Sequence, residues 1–342
     1  MSRGRIFLYT SLLIIALFLI IKHELVYYAY VQAKGQLEII MNALPVEELM
    51  ADQDFPDSLK AKLKVVEEVK KYAIEELGLK GKKNYTTYYD QHGRELMWVV
   101  SACEPFELES YKWGFPILGS FSYKGFFRYD MAEAERDRLR EKGFDANIRT
   151  AGGWSTLGIL KDPILSNMLN RDVGSLSDLI IHELTHTTIF IKDSLEFNEN
   201  LASFIGNEGA RLFLKEKYGE SSSELDFYNT KIRDHIIFTT YVLEGAAKLD
   251  SLYKSFNTDM TYETKLELKK NAIEQFMSGS KDLPFNTLRY VDYFNDFIPD
   301  NTFFMSFLRY RGGQSTFEEA LKTEHQGNLA EYIKELKKQF GR

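Results

Sequence analysis

Cysteine is nearly missing from this chain of 342 residues, which contains only Cys103. A single cysteine cannot form a disulfide within the chain, and it cannot supply a multi-cysteine zinc or iron–sulfur site. Cys103 follows the apolar residues 97–100, so we interpret it as a small buried hydrophobic residue without a chemical role.

Basic residues are in the minority, with 43 lysines and arginines against 50 aspartates and glutamates and a formal net charge of −7. A nucleic-acid partner would need a basic surface to neutralise its phosphates, so we set this class of partner aside. The sequence also lacks internal repeats, low-complexity tracts and a glycine-rich phosphate loop. Its apolar fraction of 44% is sufficient for a substantial folded core.

Charged residues are absent from residues 6–21, an apolar stretch that follows Arg3 and Arg5. Such a stretch is typical of a signal peptide or a membrane anchor. No small-residue cleavage site follows it cleanly and no cysteine is present for lipidation, so we favour an uncleaved anchor over residues 1–23. The arginines predict an inner-membrane anchor at the cell envelope, with the remaining chain on the periplasmic side.

Helical spacing of apolar residues follows the predicted anchor, over residues 36–42, 45–50 and 58–77. Apolar side chains that recur every three or four residues lie on one face of a helix. Together these patterns predict a helical collar over residues 24–83.

Residues that favour β-structure become frequent after the collar. Residues 85–89 and 95–102 are rich in them and flank the turn sequence DQHG, which predicts a hairpin. Residues 131–142 predict a charged surface helix, and residues 145–151 alternate like a strand. We therefore predict a small sheet before the helices that follow.

The chain from residue 162 to its end has helical spacing of its apolar residues. Three loops are predicted within it, near residues 221–223, 278–284 and 312–315. The sequence thus predicts an α+β fold that is dominated by helices. We divide it into a core over residues 84–220 and a helical C-terminal subdomain over residues 221–342.

One segment of the predicted core, SLSDLIIHELTH, ends at His186 and has the chemistry of a metal site. It follows Gly174 with a Ser-x-x-Asp sequence, which predicts that a helix begins at Ser175. His182 and His186 are one turn apart on that helix, so both imidazoles can reach one metal ion, and zinc suits them best. Glu183 is placed to act on a metal-bound water without binding the ion itself.

A catalytic zinc ion needs a third protein ligand, which we expect from the next helix. Asp193 can cap this helix, with Glu196 in the reciprocal position. We favour Glu199 as the ligand and keep Glu196 and Glu208 as alternatives. The positions three, four and seven residues beyond Glu199 carry small side chains that allow close helix approach. They are Ala202, Ser203 and Gly206.

A lone histidine or glutamate on a helix usually has no role in metal binding. Here two histidines have the metal-binding spacing, a glutamate lies between them, and an acidic helix follows directly. This combination favours one zinc ion over an ordinary structural helix.

The sequence resembles the bacterial predicted aminopeptidase family, a group of envelope-directed, gluzincin-like zinc proteins. The strongest similarity is in HELTH at residues 182–186 and FNENLA at residues 197–202. Weaker similarity is found at residues 27–37, 73–78, 114–125, 154–158, 162–163, 286–288 and 312–313. The resemblance implies a zincin-like metallopeptidase fold, aminopeptidase activity on peptides, and Glu199 as the third zinc ligand. Many members carry a lipidated cysteine near the start, which this sequence lacks.

We therefore expect zinc-dependent hydrolysis of a peptide bond, with Glu183 as the general base for a metal-activated water. The oxyanion needs a further hydrogen-bond donor, for which we consider Tyr290, Tyr293 and Tyr123. An aminopeptidase must also bind the terminal ammonium of its substrate. The carboxylates considered for that role are Glu196, Glu208 and Glu104.

Two other functions are compatible with the same residues. An endopeptidase would use the same metal chemistry in an open groove, without a site for the terminal ammonium. An envelope-tethered binding or scaffold protein would hold zinc structurally, with a closed fourth coordination position.

Overall fold

The computed structural model describes residues 4–5, 7, 9–10, 21–115, 119–150, 161–192, 194–311 and 314–341. Most of the predicted anchor, Asp193 and the family segments 154–158 and 312–313 therefore lie outside the described residues. Within the described parts, no helix is both long enough and apolar enough to span a membrane. The anchor stays a prediction.

Helices account for most of the described chain, which confirms the predicted helix-dominated α+β class. Their bounds are α1 His23–Asn42, α2 Val46–Ala51, α3 Asp57–Glu75, α4 Tyr129–Glu141, α5 Val173–Thr188, α6 Leu195–Tyr218, α7 Ser223–Lys254, α8 Tyr262–Gly279, α9 Asn301–Arg311, α10 Gln314–Thr323 and α11 Leu329–Phe340. Helix α1 begins at His23, well before the helical spacing that starts at residue 36, and it is continuous to Asn42.

The strands are short and form three small sheets. Their bounds are β1 Leu44–Pro45, β2 Thr87–Tyr89, β3 Trp98–Cys103, β4 Trp113–Phe115, β5 Gly119–Phe121, β6 Lys124–Phe126, β7 Asp145–Thr150 and β8 Ile164–Leu165. The strand orders are β1-β2-β8, β6-β3-β7 and β4-β5. Strand β2 is antiparallel to β1 and parallel to β8, whereas β3 is antiparallel to both of its neighbours.

The predicted hairpin between residues 85–89 and 95–102 is wrong. The turn between them is present, with His92 at φ 50° and Gly93 at φ 71°, but β2 and β3 lie in different sheets. The reason is that β2 and β3 bury their side chains in different hydrophobic cores. Those of β2 pack in the core beneath α3, α5 and α6, whereas those of β3 pack against α4. Core packing outweighs local turn chemistry in the choice of a strand's partner.

Buried side chains form three clusters. The main core joins the collar, α5, α6 and the C-terminal helices, and includes Ile181, Leu184 and Ile205. A second, aromatic core packs α7, α8 and α9 around Phe238 and Phe304. The third lies between the β3 sheet and α4. The candidate site lies on α5 and α6 within the main core, where close packing holds both helices in place.

The C-terminal part is helical, as predicted, but its irregular segment is longer than expected. Residues 283–300 contain no helix, although only residues 278–284 were predicted as a loop in this region. Both oxygens of the buried Asp234 on α7 accept hydrogen bonds from Asn286 and Thr287, including their backbone N–H groups. Because Asp234 holds these N–H groups, the segment is fixed without helical hydrogen bonds.

Candidate metal centre

Helix α5, which carries the two histidines, begins before the predicted start at Ser175. The carboxylate of Asp172 accepts a hydrogen bond of 2.9 Å from the Ser175 N–H and caps the helix. The same carboxylate lies 2.5 Å from the Lys231 ammonium on α7. Gly174 lies inside the helix. The Tyr228 ring packs against it so closely that a Cβ atom there would be 2.5 Å from a ring carbon.

Helices α5 and α6 approach each other closely, as the small residues of α6 predict. A Cβ atom at Gly206 would lie 2.5 Å from the Asp178 carboxylate and 3.2 Å from the His182 Cβ atom. At Gly209 it would lie 3.0 Å from the Ile181 side chain. Glycine at these positions therefore sets the distance between the two helices.

The connection between the two helices is held by Asn198, near the start of α6. Its side-chain oxygen accepts from the Ile191 N–H at 2.8 Å, and its amide donates to the Ile191 carbonyl at 2.7 Å. This two-way pairing folds the loop back onto α6. Because Asn198 precedes Glu199, the pairing also limits how far the Glu199 backbone can move.

Three side chains of these helices converge. The Nε2 atoms of His182 and His186 lie 3.2 Å apart. The Glu199 carboxylate oxygens lie 3.6 Å from His182 Nε2 and 3.5 Å from His186 Nε2. Among the described residues, these three form the one group of three or more histidine, cysteine or acidic side chains with the spacing of a metal site. The cluster can hold a metal ion.

The separations within the cluster suit zinc. Zinc ligands lie about 2.0–2.2 Å from the ion in tetrahedral geometry, so neighbouring ligand atoms are about 3.3–3.6 Å apart. The 3.2 Å between the two Nε2 atoms is close to this range, and each Nε2 has one oxygen of the Glu199 carboxylate at 3.5 or 3.6 Å. Two imidazoles and one carboxylate also match the ligand types of a catalytic zinc ion with one open position.

The electrostatics of the cluster favour a bound cation. Burial opposes ionisation of Glu199, but hydrogen bonds and charge from His182 and His186 outweigh it, so its pKa lies well below the usual value. Burial would lower the pKa of His182, yet the carboxylates of Glu199, Glu183 and Asp178 raise it. Three carboxylates thus create a negative potential at the imidazole nitrogens.

The His186 ring is oriented by burial. Only 4% of His186 is exposed, and its Nδ1 atom has no hydrogen-bond partner among the described residues. The polar contacts of this ring are therefore on its Nε2 side, within the cluster. Asp178 lies one turn before His182 on α5, and desolvation raises its pKa to about 6 against the opposing effects of His182 and Tyr228.

Glu183 is half-buried next to the cluster. Its negative charge contributes to the raised pKa of His182 and, after burial, to the raised pKa of Tyr85. The expected base therefore acts electrostatically on a buried tyrosine. The sequence predicts only a β-rich segment at Tyr85, because residue 85 is far from the motif along the chain.

The segment that leads to Tyr85 lies across the end of α5. The Lys80 N–H donates to the Thr188 hydroxyl at 2.8 Å. Gly81, at φ 129°, packs so tightly that a Cβ atom there would overlap the Leu184 side chain. This arrangement requires glycine for both its conformation and its lack of a side chain.

The three tyrosines considered for the oxyanion occupy other places. The Tyr290 hydroxyl lies 2.9 Å from His235 Nδ1, and its ring stacks on Phe238 in the second core. Tyr293 belongs to the same aromatic region and is 39% exposed. Tyr123 lies between β5 and β6, in the small sheets. Their catalytic roles stay predictions.

The carboxylates considered for the substrate ammonium are also dispersed. Glu196 is exposed near the start of α6, and its backbone carbonyl accepts from the Asn200 side chain. Glu208 lies further along α6 and pairs with Arg211 at 2.5 Å. Glu104 follows β3, and its carbonyl accepts from Asn301. Substrate binding by any of them stays a prediction.

Comparison with known proteins gives a family match over nearly all of the described chain. The family model described as "Putative aminopeptidase" matches residues 27–341, which include both α5 and α6. No curated protein and no solved structure matches the chain.

Proposed function

Because the chain belongs to this aminopeptidase family, we propose that it is a zinc-dependent aminopeptidase. Family membership agrees with the resemblance in the sequence and supports a peptidase at the level of general function. The observation that carries the zinc proposal is the convergence of one ligand atom each from His182, His186 and Glu199 within 4.8 Å of one another. We assign the α5–α6 pair to a zincin-like, gluzincin-type arrangement on the same grounds.

In this proposal His182, His186 and Glu199 hold one zinc ion. Once bound, the ion supplies Lewis acidity for the scissile carbonyl and for the attacking water. The remaining chemistry belongs to the protein. The burial of the cluster against the main core limits water access and strengthens the electrostatic interactions inside it.

Glu183 is the general base of the proposed reaction. Its carboxylate accepts a proton from the attacking water and later delivers it to the nitrogen of the leaving amine. Its position next to His182, and its absence from the group of three convergent ligand atoms, support this division of roles. Glu183 would therefore act on the water while His182, His186 and Glu199 hold the ion.

We propose that this activity is located at the cell envelope. The apolar residues 6–21 after Arg3 and Arg5 support an inner-membrane anchor with the catalytic part on the periplasmic side. The substrates would then be peptides present outside the cytoplasm.

The test combines metal analysis of the full-length protein in detergent with a screen of free and N-acetylated peptides. We expect one zinc ion per chain and cleavage of free peptides alone, because an aminopeptidase binds the terminal ammonium. Cleavage of both peptide sets would favour an endopeptidase. A zinc-loaded protein that cleaves neither set and binds no hydroxamate would favour a structural zinc.

A further inference from the structure

The hydroxyl of Tyr85 is buried without a hydrogen-bond partner among the described residues. The residue is only 5% exposed. Buried hydroxyl groups are normally hydrogen-bonded, because leaving one unpaired loses the free energy of its hydration. A bound ligand with a hydrogen-bond acceptor would satisfy the Tyr85 hydroxyl.

Tyr85 belongs to a segment that packs against α5. Its segment crosses the end of α5 through the contacts of Lys80 with Thr188 and of Gly81 with Leu184. After burial, the charge of Glu183 contributes to the raised pKa of the Tyr85 phenol. These contacts place the segment of Tyr85 against the helix that carries the proposed base, and the hydroxyl within the electrostatic reach of its carboxylate.

The backbone of Tyr85 is also strained. Its φ of 57° lies in the left-handed region, which is unfavourable for a bulky side chain. Two contacts hold it there: the Tyr85 N–H donates to the Asp162 carbonyl at 2.7 Å, and the Asn84 side chain donates to the Asp162 carboxylate at 3.2 Å. Asp162 and Asn84 are both buried, so the ring direction is fixed by the fold.

We propose that the Tyr85 hydroxyl donates a hydrogen bond to the scissile carbonyl oxygen of the bound peptide and stabilises the oxyanion. This inference rests on the proposed peptidase function. As water adds to the carbonyl carbon, the π-electron pair moves to the oxygen and Glu183 takes the proton of the water. When the C–N bond breaks, that electron pair restores the carbonyl, and the leaving nitrogen receives the proton from Glu183.

Tyr85 keeps its own proton throughout this sequence. Burial, followed by the negative charges of Glu183 and Asp162, holds its pKa well above the usual value, so the phenol stays a neutral donor. Tyr290, which the sequence analysis considered for this role, already has His235 as a partner. A preorganised donor aimed at the developing charge is the feature that this type of catalysis requires.

The first test compares Tyr85→Phe with Tyr88→Phe. Tyr88 is a matched control, because it is also 5% exposed, lies in the same core, and is not among the described residues whose buried polar atoms lack a partner. For Tyr85→Phe we expect kcat to fall by about a hundredfold or more, with KM and zinc content nearly unchanged. Its melting temperature should not fall, since the lost hydroxyl has no partner to leave unpaired. Tyr88→Phe should keep the parent kcat.

The second test does not depend on turnover. A phosphinic peptide, which mimics the tetrahedral oxyanion, is titrated into zinc-loaded protein that carries 13Cζ-labelled tyrosine. We expect one tyrosine resonance, absent in Tyr85→Phe, to shift on binding, and we expect Tyr85→Phe to bind the peptide at least about tenfold more weakly.

If Tyr85→Phe has the same kcat as the parent protein and binds the phosphinic peptide with the same affinity, the proposed role of Tyr85 is wrong. Loss of folding or a lower melting temperature in this variant would overturn it as well, because the hydroxyl would then have a structural partner. If the parent protein itself cleaves no peptide and binds no phosphinic peptide, the proposed function fails first, and the role of Tyr85 fails with it.

Discussion

Gly206 and Asp178 lie so close that a Cβ atom at Gly206 would be 2.5 Å from the Asp178 carboxylate oxygen. The substitution Gly206→Ala should therefore push α6 away from α5 and move Glu199 away from the histidines. We expect zinc affinity to fall at least about tenfold and the free energy of unfolding to fall by about 1–3 kcal/mol. Equilibrium dialysis and urea unfolding measure the two effects.

Gly114→Ala is the control for this substitution. Among the described residues, no heavy atom lies within 4 Å of a Cβ atom at Gly114, so alanine should be accepted there without loss of zinc or stability. A Gly206→Ala protein with parent affinity and parent stability would contradict the close packing of α5 and α6 as the determinant of the site.

Glu199→Ala should empty the metal site. Loss of one of three ligands should weaken zinc binding by about a hundredfold or more, whereas Glu208→Ala, on the same helix, should leave it unchanged. Glu208 is a suitable control because it pairs with Arg211 instead of the histidines. Zinc loss in Glu208→Ala and retention in Glu199→Ala would reverse our assignment of the third ligand.

Glu183→Gln should separate metal binding from catalysis. The amide has nearly the same shape as the acid and His182, His186 and Glu199 are intact, so zinc content should be that of the parent protein. Turnover should fall by about a hundredfold or more, because the amide cannot accept the proton of the water. Parent turnover in this variant would remove Glu183 from the mechanism, and loss of zinc would make it a ligand.

The acid stability of the C-terminal part should depend on Asp234. Burial opposes ionisation of this carboxylate, but its hydrogen bonds from Asn286 and Thr287 outweigh burial and lower its pKa. A pKa that is lower in the folded state adds stability above the unfolded pKa of about 4, and this stability is lost as the pH falls through the folded value. Asp234→Asn should therefore lower the free energy of unfolding by about 2 kcal/mol at pH 6.

The difference between Asp234→Asn and the parent protein should shrink as the pH falls below about 4. Urea unfolding between pH 2.5 and 6, at intervals of about half a unit, measures this dependence. Asp226→Asn, an exposed change on the same helix, should have little effect at any pH. An equal loss of stability at all pH values would show that the charge of Asp234 is irrelevant.

The proposed inner-membrane anchor predicts that protease can reach the protein from the periplasmic side. In cells with a permeabilised outer layer, added protease should digest the full-length chain while the inner membrane is intact. Changing Arg3 and Arg5 to glutamate should reduce the fraction with this orientation. Digestion of the parent protein only after the inner membrane is broken would reverse the topology.

The sequence alone was sufficient to predict the local features of the site. The spacing of His182 and His186 determines that both rings share one helix face, because each residue of a helix advances by a fixed rotation. The small residues beyond Glu199 predicted the close approach of α6, which the structure contains at Gly206. The class of the fold followed from the apolar periodicity, which is also a local property.

Only the tertiary structure decided which distant segments meet. The incorrectly predicted hairpin is an example. The turn near His92 forms, but β2 and β3 bury their side chains in different cores and so join different sheets. The placement of Tyr85 has the same origin, because its segment is held against α5 by the contact of Lys80 with Thr188, about a hundred positions away along the chain. Such contacts depend on how whole elements pack, and no local pattern of residues specifies them.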